Sequence, residues 1–187
     1  MISSISSNHI IIAPIGSFIK DSILKQLVEF IYDRCGLDCR IEAKVEIPDY
    51  CHNKIRGQYD SKEILKYLIS HSHPKSLKFI GITELDLFVP ILKYVFGLSQ
   101  INGTFSIISL HRLYPGFYND PPNPNLFFSR MQKTTLHELG HAFGLTHCRE
   151  KKCVMYSSIR IADTDIKESS FCSTCFELFK WHRENTK

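Results

Sequence analysis

The stretch TTLHELGHAFGLTHCREKKCVM, residues 134–155, decides the fold. His137 and His141 stand four residues apart, a spacing that projects both imidazoles from one helix face with Cβ atoms about 5–6 Å apart. Two nitrogens placed in this way can hold one metal ion. The helical period turns Glu138 roughly 100° away from His137, so it is expected beside the metal, within reach of a water. Gly144 supplies the left-handed residue that ends the helix, and the turn brings His147 back as a third nitrogen. Three protein ligands leave a fourth position open, the mark of a catalytic rather than a structural zinc.

The same string runs His147 directly into Cys148. Cys148, Cys153, Cys172 and Cys175 give C-x4-C, a gap of 18 residues, then C-x2-C. Two thiolate pairs at these spacings suit a closed, structural zinc held by four cysteines, so two zinc ions per chain are expected. The segment from 155 to 187 carries few apolar residues, and a metal tying its helix (171–182) to the preceding loop would anchor it. One short loop then serves both metals. A redox role for the Cys172–Cys175 pair at a helix start is the rival reading; the second thiol pair, set right after His147, favours zinc.

Around this motif the chain is ordinary. Its 187 residues are 43% hydrophobic and 22% charged, which predicts one folded domain over residues 1–187. The net charge of +4 is mild, and the basic cluster at 149–152 is interrupted by Glu150, so no nucleic-acid partner is expected. No apolar run approaches a membrane span, and the opening MISSISSNHIIIAPIG lacks a basic leader. A cytoplasmic location follows as the expectation, and there cysteines point to metal or catalysis before disulfides.

Upstream, residues 10–13 read as a buried strand and 17–34 as a helix with Ile23, Leu24, Leu27, Val28, Phe30 and Ile31 inward. The alternation IEAKVEI predicts a strand over 40–47. A helix opens at Ser61 with Ile64, Leu65, Leu68 and Ile69 inward, and strands follow at 77–83 and 104–110. This order predicts a mixed α/β sheet with packed helices. The histidine helix, about 126–143, follows the loop PPNPN, with Leu136, Leu139 and Phe143 on its core face.

The string His137-Glu138-x-x-His141-x-x-Gly144-x-x-His147 matches the metzincin pattern. It predicts amide hydrolysis without a covalent enzyme intermediate, Glu138 acting as general base on a water acidified by zinc. HELGHAFGLTHC, then CVM at 153–155 and FCSTC at 171–175, resemble the archaemetzincins, a branch of the metzincin zinc peptidases. GITELDLFVPILKYVFGLSQ and ISLHRLYP resemble that family's sheet segments. The resemblance implies a catalytic zinc on His137, His141 and His147, with Glu138 as catalytic base. It implies a structural zinc on Cys148, Cys153, Cys172 and Cys175, and Met155 as the Met-turn residue under the catalytic metal. It further implies a metzincin-like α/β (α+β) fold: a mixed, mostly parallel twisted sheet, packed helices, an active-site helix and a small zinc-anchored C-terminal subdomain. The upper part would span about 1–144 and the lower about 145–187. Peptide or unfolded protein substrate would pair along an edge strand at 104–110. Several metzincins carry a tyrosine two residues after the Met-turn methionine; here that position is Ser157, with Tyr156 one place early.

The competing class is a catalytically silent zinc protein that keeps the scaffold to bind peptides; the intact Glu138 argues against it. Asp33-Arg34-Cys35-Gly36 superficially resembles the cysteine switch of matrix metalloprotease propeptides, but reads as a helix end. Cys39, Cys51-His52 and the HSHP string at 71–74 match no convergent ligand set. Met131, Phe127 and Phe128 read as core, and Arg112, Tyr114 and Tyr118 as solvent or core residues.

Overall fold

The computed structural model describes residues 9–72 and 75–186. His73 and Pro74 of the HSHP string, and the first eight residues, lie outside the described residues.

A five-stranded sheet forms the centre, in the order β2-β1-β5-β8-β7. Its strands are β1 (His9–Pro14), β2 (Asp38–Ile41), β5 (Lys78–Thr83), β7 (Gly97–Ser99) and β8 (Phe105–Ser109). All neighbours pair in parallel except at one edge, where β7 runs antiparallel to β8. β1, β5 and β8 are buried at every position, as parallel strands covered on both faces must be. Alternate residues of β1 enter different cores. Ile10 and Ile12 face α1 (Asp21–Cys35) and α3 (Pro124–Ala142), whereas Ile11 and Ala13 face α2 (Ser61–His71). A small second sheet joins β3 (His52–Asn53), β4 (Gln58–Asp60) and β6 (Leu87–Phe88).

Three expectations need correction. The strand expected over 40–47 is regular only through Ile41, with Val45 returning as a single bridge to Ile15. Ile69, expected inward, is 40% exposed. The strand expected to be the substrate edge is interior, because β7 pairs with β8 and takes the edge itself.

α3 starts where the sequence permits. The Asn123 side chain accepts from the Leu126 amide at 3.0 Å and Pro124 occupies the first turn, the favoured cap and N1 residues. From Thr134 to Leu139 the helix is buried on all sides. Burial of a Leu139 or Phe143 side chain stabilises by roughly 1.5–3 kcal/mol each, which binds the helix to the sheet. Its C-terminal end is pinned further. Lys78 Nζ, on β5, donates to the carbonyls of Gly103 (2.8 Å) and Ala142 (2.7 Å), and the Asn102 amide donates to His141 O.

Gly144 adopts φ +92°, and the amides of Gly144 and Leu145 close back on His141 and Gly140. A side chain there would be strained and would meet the His182 ring. Two short helices follow, α4 (Ile161–Ile166) and α5 (Ser173–Asn185). The C-terminal segment does not depend on a metal alone: Phe179 is buried against Phe143, ring centroids 4.9 Å apart, and Arg183 donates to Cys35 O at 2.7 Å. Two aromatic residues of this segment, Phe171 and Phe179, add to its docking, stacking on each other within the main core.

Candidate metal centres

Two clusters that could hold a metal ion occur among the described residues, one of three histidines and one of four cysteines, each with its ligand atoms within 4.8 Å of one another. They are the residues singled out by spacing.

In the first, His137 Nδ1 lies 2.8 Å from Val154 O, and His141 Nδ1 lies 2.7 Å from Leu145 O. A carbonyl can only accept, so both Nδ1 atoms carry the proton and both Nε2 atoms present lone pairs. Those two lone pairs face each other at 3.2 Å. Without a cation between them that approach is repulsive. With Zn–N bonds of about 2.0–2.1 Å, a tetrahedral site demands a separation near 3.3 Å. The donor set therefore fits a metal. His147, on the exposed side, closes the set, its ring 4.9 Å from that of His141. Burial first, then the Lys167 cation and the neighbouring imidazoles, holds the His137 pKa well below the ordinary value. His141 and His147 are lowered too, again chiefly by burial. Neutral imidazoles are the form that binds metal, so protons compete little at neutral pH.

Glu138 is buried beside this set, and burial pushes its carboxyl up to about 7 against the opposing pull of Ser99 and Lys167. The Ser99 hydroxyl lies 2.6 Å from Oε2 and 2.9 Å from the backbone carbonyl of Glu138, donating to one or the other. Gly97 makes the room: a Cβ there would come within 2.7–2.9 Å of the Glu138 side chain. Sequence reading missed both residues. A glycine inside a strand marks a close approach, and that was the available signal within VFGLSQ. Met155 is fully buried and lies under α3 at Gly140, where any side chain would collide with its sulfur. A cleft of about 620 Å³ opens over the cluster, between β7 and the segment at 157–167. Ser157 lines it, whereas Arg112 is committed to Asp86 (2.7 and 2.8 Å), Tyr114 to Glu84, and Tyr118 to the Arg112 carbonyl.

The second cluster sits at the start of α5. Cys148 Sγ and Cys172 Sγ are 3.9 Å apart, against about 3.8 Å for two corners of a tetrahedron with Zn–S near 2.3 Å. The Cys153 amide turns back on Glu150 O, and the Cys148 amide pairs with Met155 O, so a tight loop presents the first two thiols. Burial and the other thiols raise the Cys175 pKa. Burial also raises Cys172, but backbone and thiol hydrogen bonds outweigh it and leave that group lowered. Four crowded sulfurs of this kind deprotonate together only around a cation.

The remaining cysteines are elsewhere. Cys35 is buried at the end of α1, its thiol pushed up to about 12 by burial and by Cys39, with Gly36 as the left-handed cap. Cys51 lies in the α2 core, and His52 stacks on Tyr59. Met131 is fully buried, and Phe127 stacks on Tyr114.

A family model described as peptidase family M54 matches residues 8–181. The chain is 40% identical over 171 residues to an archaemetzincin of Pyrococcus furiosus, covering 89% of each. It is 39% identical over 169 residues to an archaemetzincin of Methanocaldococcus jannaschii, covering 90% of this chain and 91% of the relative. Among solved structures, the crystal structure of archaemetzincin from Methanopyrus kandleri matches with a TM-score of 0.85 at 28% identity, covering 98% of this chain and 99% of that one.

Proposed function

The chain belongs to peptidase family M54, a family of zinc metallopeptidases, and we propose that it cleaves peptide bonds at the three-histidine cluster with Glu138 as general base. The observation that carries this reading is the pair of Nε2 lone pairs facing each other at 3.2 Å, with both Nδ1 protons held by carbonyls. His137, His141 and His147 hold the catalytic zinc, which supplies Lewis acidity toward a water and a peptide carbonyl. The Glu138 carboxylate takes the proton from water and hands it to the leaving amine, a role typically worth ~10²–10⁴ in rate. Its raised pKa suits a base working near neutrality, and a nearby dication pulls that value back toward the ionised form. Ser99 and Gly97 fix the carboxylate from the strand side.

Cys148, Cys153, Cys172 and Cys175 hold a second, structural zinc, giving two per chain. Met155 forms the floor beneath the histidines. The turn after Gly144 divides an upper part, about residues 1–144, from a lower part, about 145–187. An extended peptide or unfolded segment pairs with β7, whose residues line the cleft. Backbone pairing of that kind gives affinity, and side-chain pockets give preference. Seven free cysteines favour a reducing compartment such as the cytoplasm. No described helix is long and apolar enough to cross a membrane.

Elemental analysis of protein purified without chelators, with turnover of a mixed peptide library, tests the reading. Two zinc ions per chain and cleavage abolished by Glu138→Ala support it. Two zinc ions with no cleavage favour the silent peptide-binding scaffold instead.

A further inference from the structure

Lys167 is a buried cation with no carboxylate in ion-pair contact among the described residues, although the Glu138 and Asp163 carboxyls lie near enough to act on its charge. It is 4% exposed, and its Nζ donates to one acceptor among the described residues, the Tyr156 carbonyl at 3.0 Å. The carboxylates nearby are committed elsewhere. Asp165 pairs with Arg130 through both oxygens at 2.7 Å, Asp163 accepts from the amides of Ile159 and Arg160, and Glu138 is held by Ser99. No ion pair reaches Lys167 among the described residues. The other two buried lysines near α3 are different: Lys133 Nζ donates to the Asp165 carbonyl at 3.1 Å, beside the Arg130–Asp165 pair. Lys78 donates to two carbonyls and lies 4.7 Å over the Phe143 ring, away from any opening.

Lys167 instead lines the cleft together with His137, Glu138 and His147. Thr134, Ser157, Ser158 and Thr164 line the same cleft, and Ser158 Oγ is buried with no hydrogen-bond partner among the described residues. So the inner wall of the cleft carries hydroxyls and the Lys167 ammonium, while Ile91, Leu92 and Ile159 form a largely apolar rim that also carries Lys93 and Arg160. Burying an ammonium is costly unless it is paired, and a buried hydroxyl without a partner adds to that cost. One ligand group resolves both: an anion with two acceptor oxygens.

We infer that Lys167 and Ser158 form a carboxylate-binding subsite of the cleft, which selects substrates carrying an acidic side chain or a terminal carboxylate next to the scissile bond. The inference rests on the peptidase reading above for its substrate class. The carboxylate accepts from the free N–H groups of Lys167 and from the Ser158 hydroxyl, in a site sheltered from water where charge-assisted hydrogen bonds are strongest. Lys167 acts here on binding and register, and no bond is made or broken through it.

The test measures binding, so it stands apart from turnover. Fluorescent hexapeptides that differ only by Glu or Gln at each position, each with a free or an amidated C-terminus, are titrated by anisotropy into zinc-loaded Glu138→Gln protein. We expect about ten- to a hundredfold tighter binding for the carboxylate at one register, and collapse of that ratio toward one in Glu138→Gln/Lys167→Met. Lys167→Arg should retain part of the preference, and Ser158→Ala should reduce it a few fold. Should the Lys167→Met protein fail to fold, those two variants decide the question. A preference that follows internal Glu identifies a side chain; one that follows the free terminus identifies the chain end. Equal binding of Glu and Gln peptides throughout, or a preference that survives loss of Lys167, overturns the subsite. Cleavage of the same peptides by wild-type protein is read separately: a binding preference without any cleavage sinks the peptidase reading and leaves the subsite standing.

Discussion

The two ligand clusters are neighbours in the chain and opposites in construction. The histidine set draws two ligands from one buried helix and one from a loop, and it leaves a position facing a 620 Å³ cleft. The cysteine set draws its thiols from one tight loop and the start of α5, and around a zinc its four sulfurs would use every corner of a tetrahedron. The first is made by the scaffold: α3 would stand without a metal, held by its packing and by Lys78. The second, if filled as proposed, would help to make the scaffold, since it would join two segments separated by the whole of α4. An open site can exchange its fourth ligand and do chemistry; a closed one can only hold.

The largest effect should come from attacking the closed site. Cys153→Ser is expected to reduce zinc from two to one per chain and to lower the Tm by on the order of 10 °C. The Phe143–Phe179 contact limits the damage, so α5 stays partly docked. Melting identical to wild type with both metals retained would break the comparison.

Glu138→Gln attacks the open site without touching its ligands. Turnover should fall by ~10²–10⁴ while both zinc ions remain, as read by steady-state kinetics beside elemental analysis. Retained turnover would remove Glu138 from its role.

The same substitution sharpens the contrast once metal is stripped. In the metal-free protein the Glu138 carboxyl sits near 7, above its ordinary 4.5. The folded state then holds the proton more tightly than the unfolded state. Its contribution is fully present below about 4.5, is lost as pH rises through about 7, and stays lost above. Metal-free Glu138→Gln should therefore be more stable than metal-free wild type at pH 8, by on the order of 3 kcal/mol. The difference should vanish near pH 4. Urea melts of the two proteins at both pH values check it, and a constant difference would mean the carboxyl is not desolvated.

Gly97→Ala is the mildest. Its Cβ would crowd the Glu138 side chain, and we expect kcat to fall about tenfold with zinc content and Tm nearly unchanged. An equal fall in Tm would turn Gly97 into a packing residue only.

The convergence of the three histidines was legible in the sequence because covalent spacing does most of the work there. A helix carries His137 and His141 to one point whatever the rest of the chain does, and Gly144 with φ +92° dictates the return of His147. β1, β5 and β8 were legible as unbroken apolar runs, since both of their faces are covered. β7 was not, being three half-buried residues whose strand character comes from β8 rather than from themselves. That is also why the strand at 104–110 reads as an edge from the sequence although β7 occupies that position. Lys167 was invisible for a related reason: nothing local distinguishes it from Lys151 or Lys152, and its burial is imposed by α3 and the cleft wall. Ile69 erred in the same direction, because the helical stripe of α2 is narrower than its apolar residues suggest.

Lys78 and the Asn102 amide grip the last turn of α3, whereas its first turn, at 124–126, lies toward solvent. Mechanically that is a beam clamped through its backbone at one end, with side-chain ties at Phe127–Tyr114 and Arg130–Asp165 farther out. Deflection of a rooted beam is smallest at the root, and His137 and His141 sit within two turns of it. Thermal bending is thereby spent at the end that carries no chemistry. Amide exchange should accordingly slow along the helix from Phe127 toward His141, and the spacing between the two imidazoles should be the stiffest dimension of the cleft.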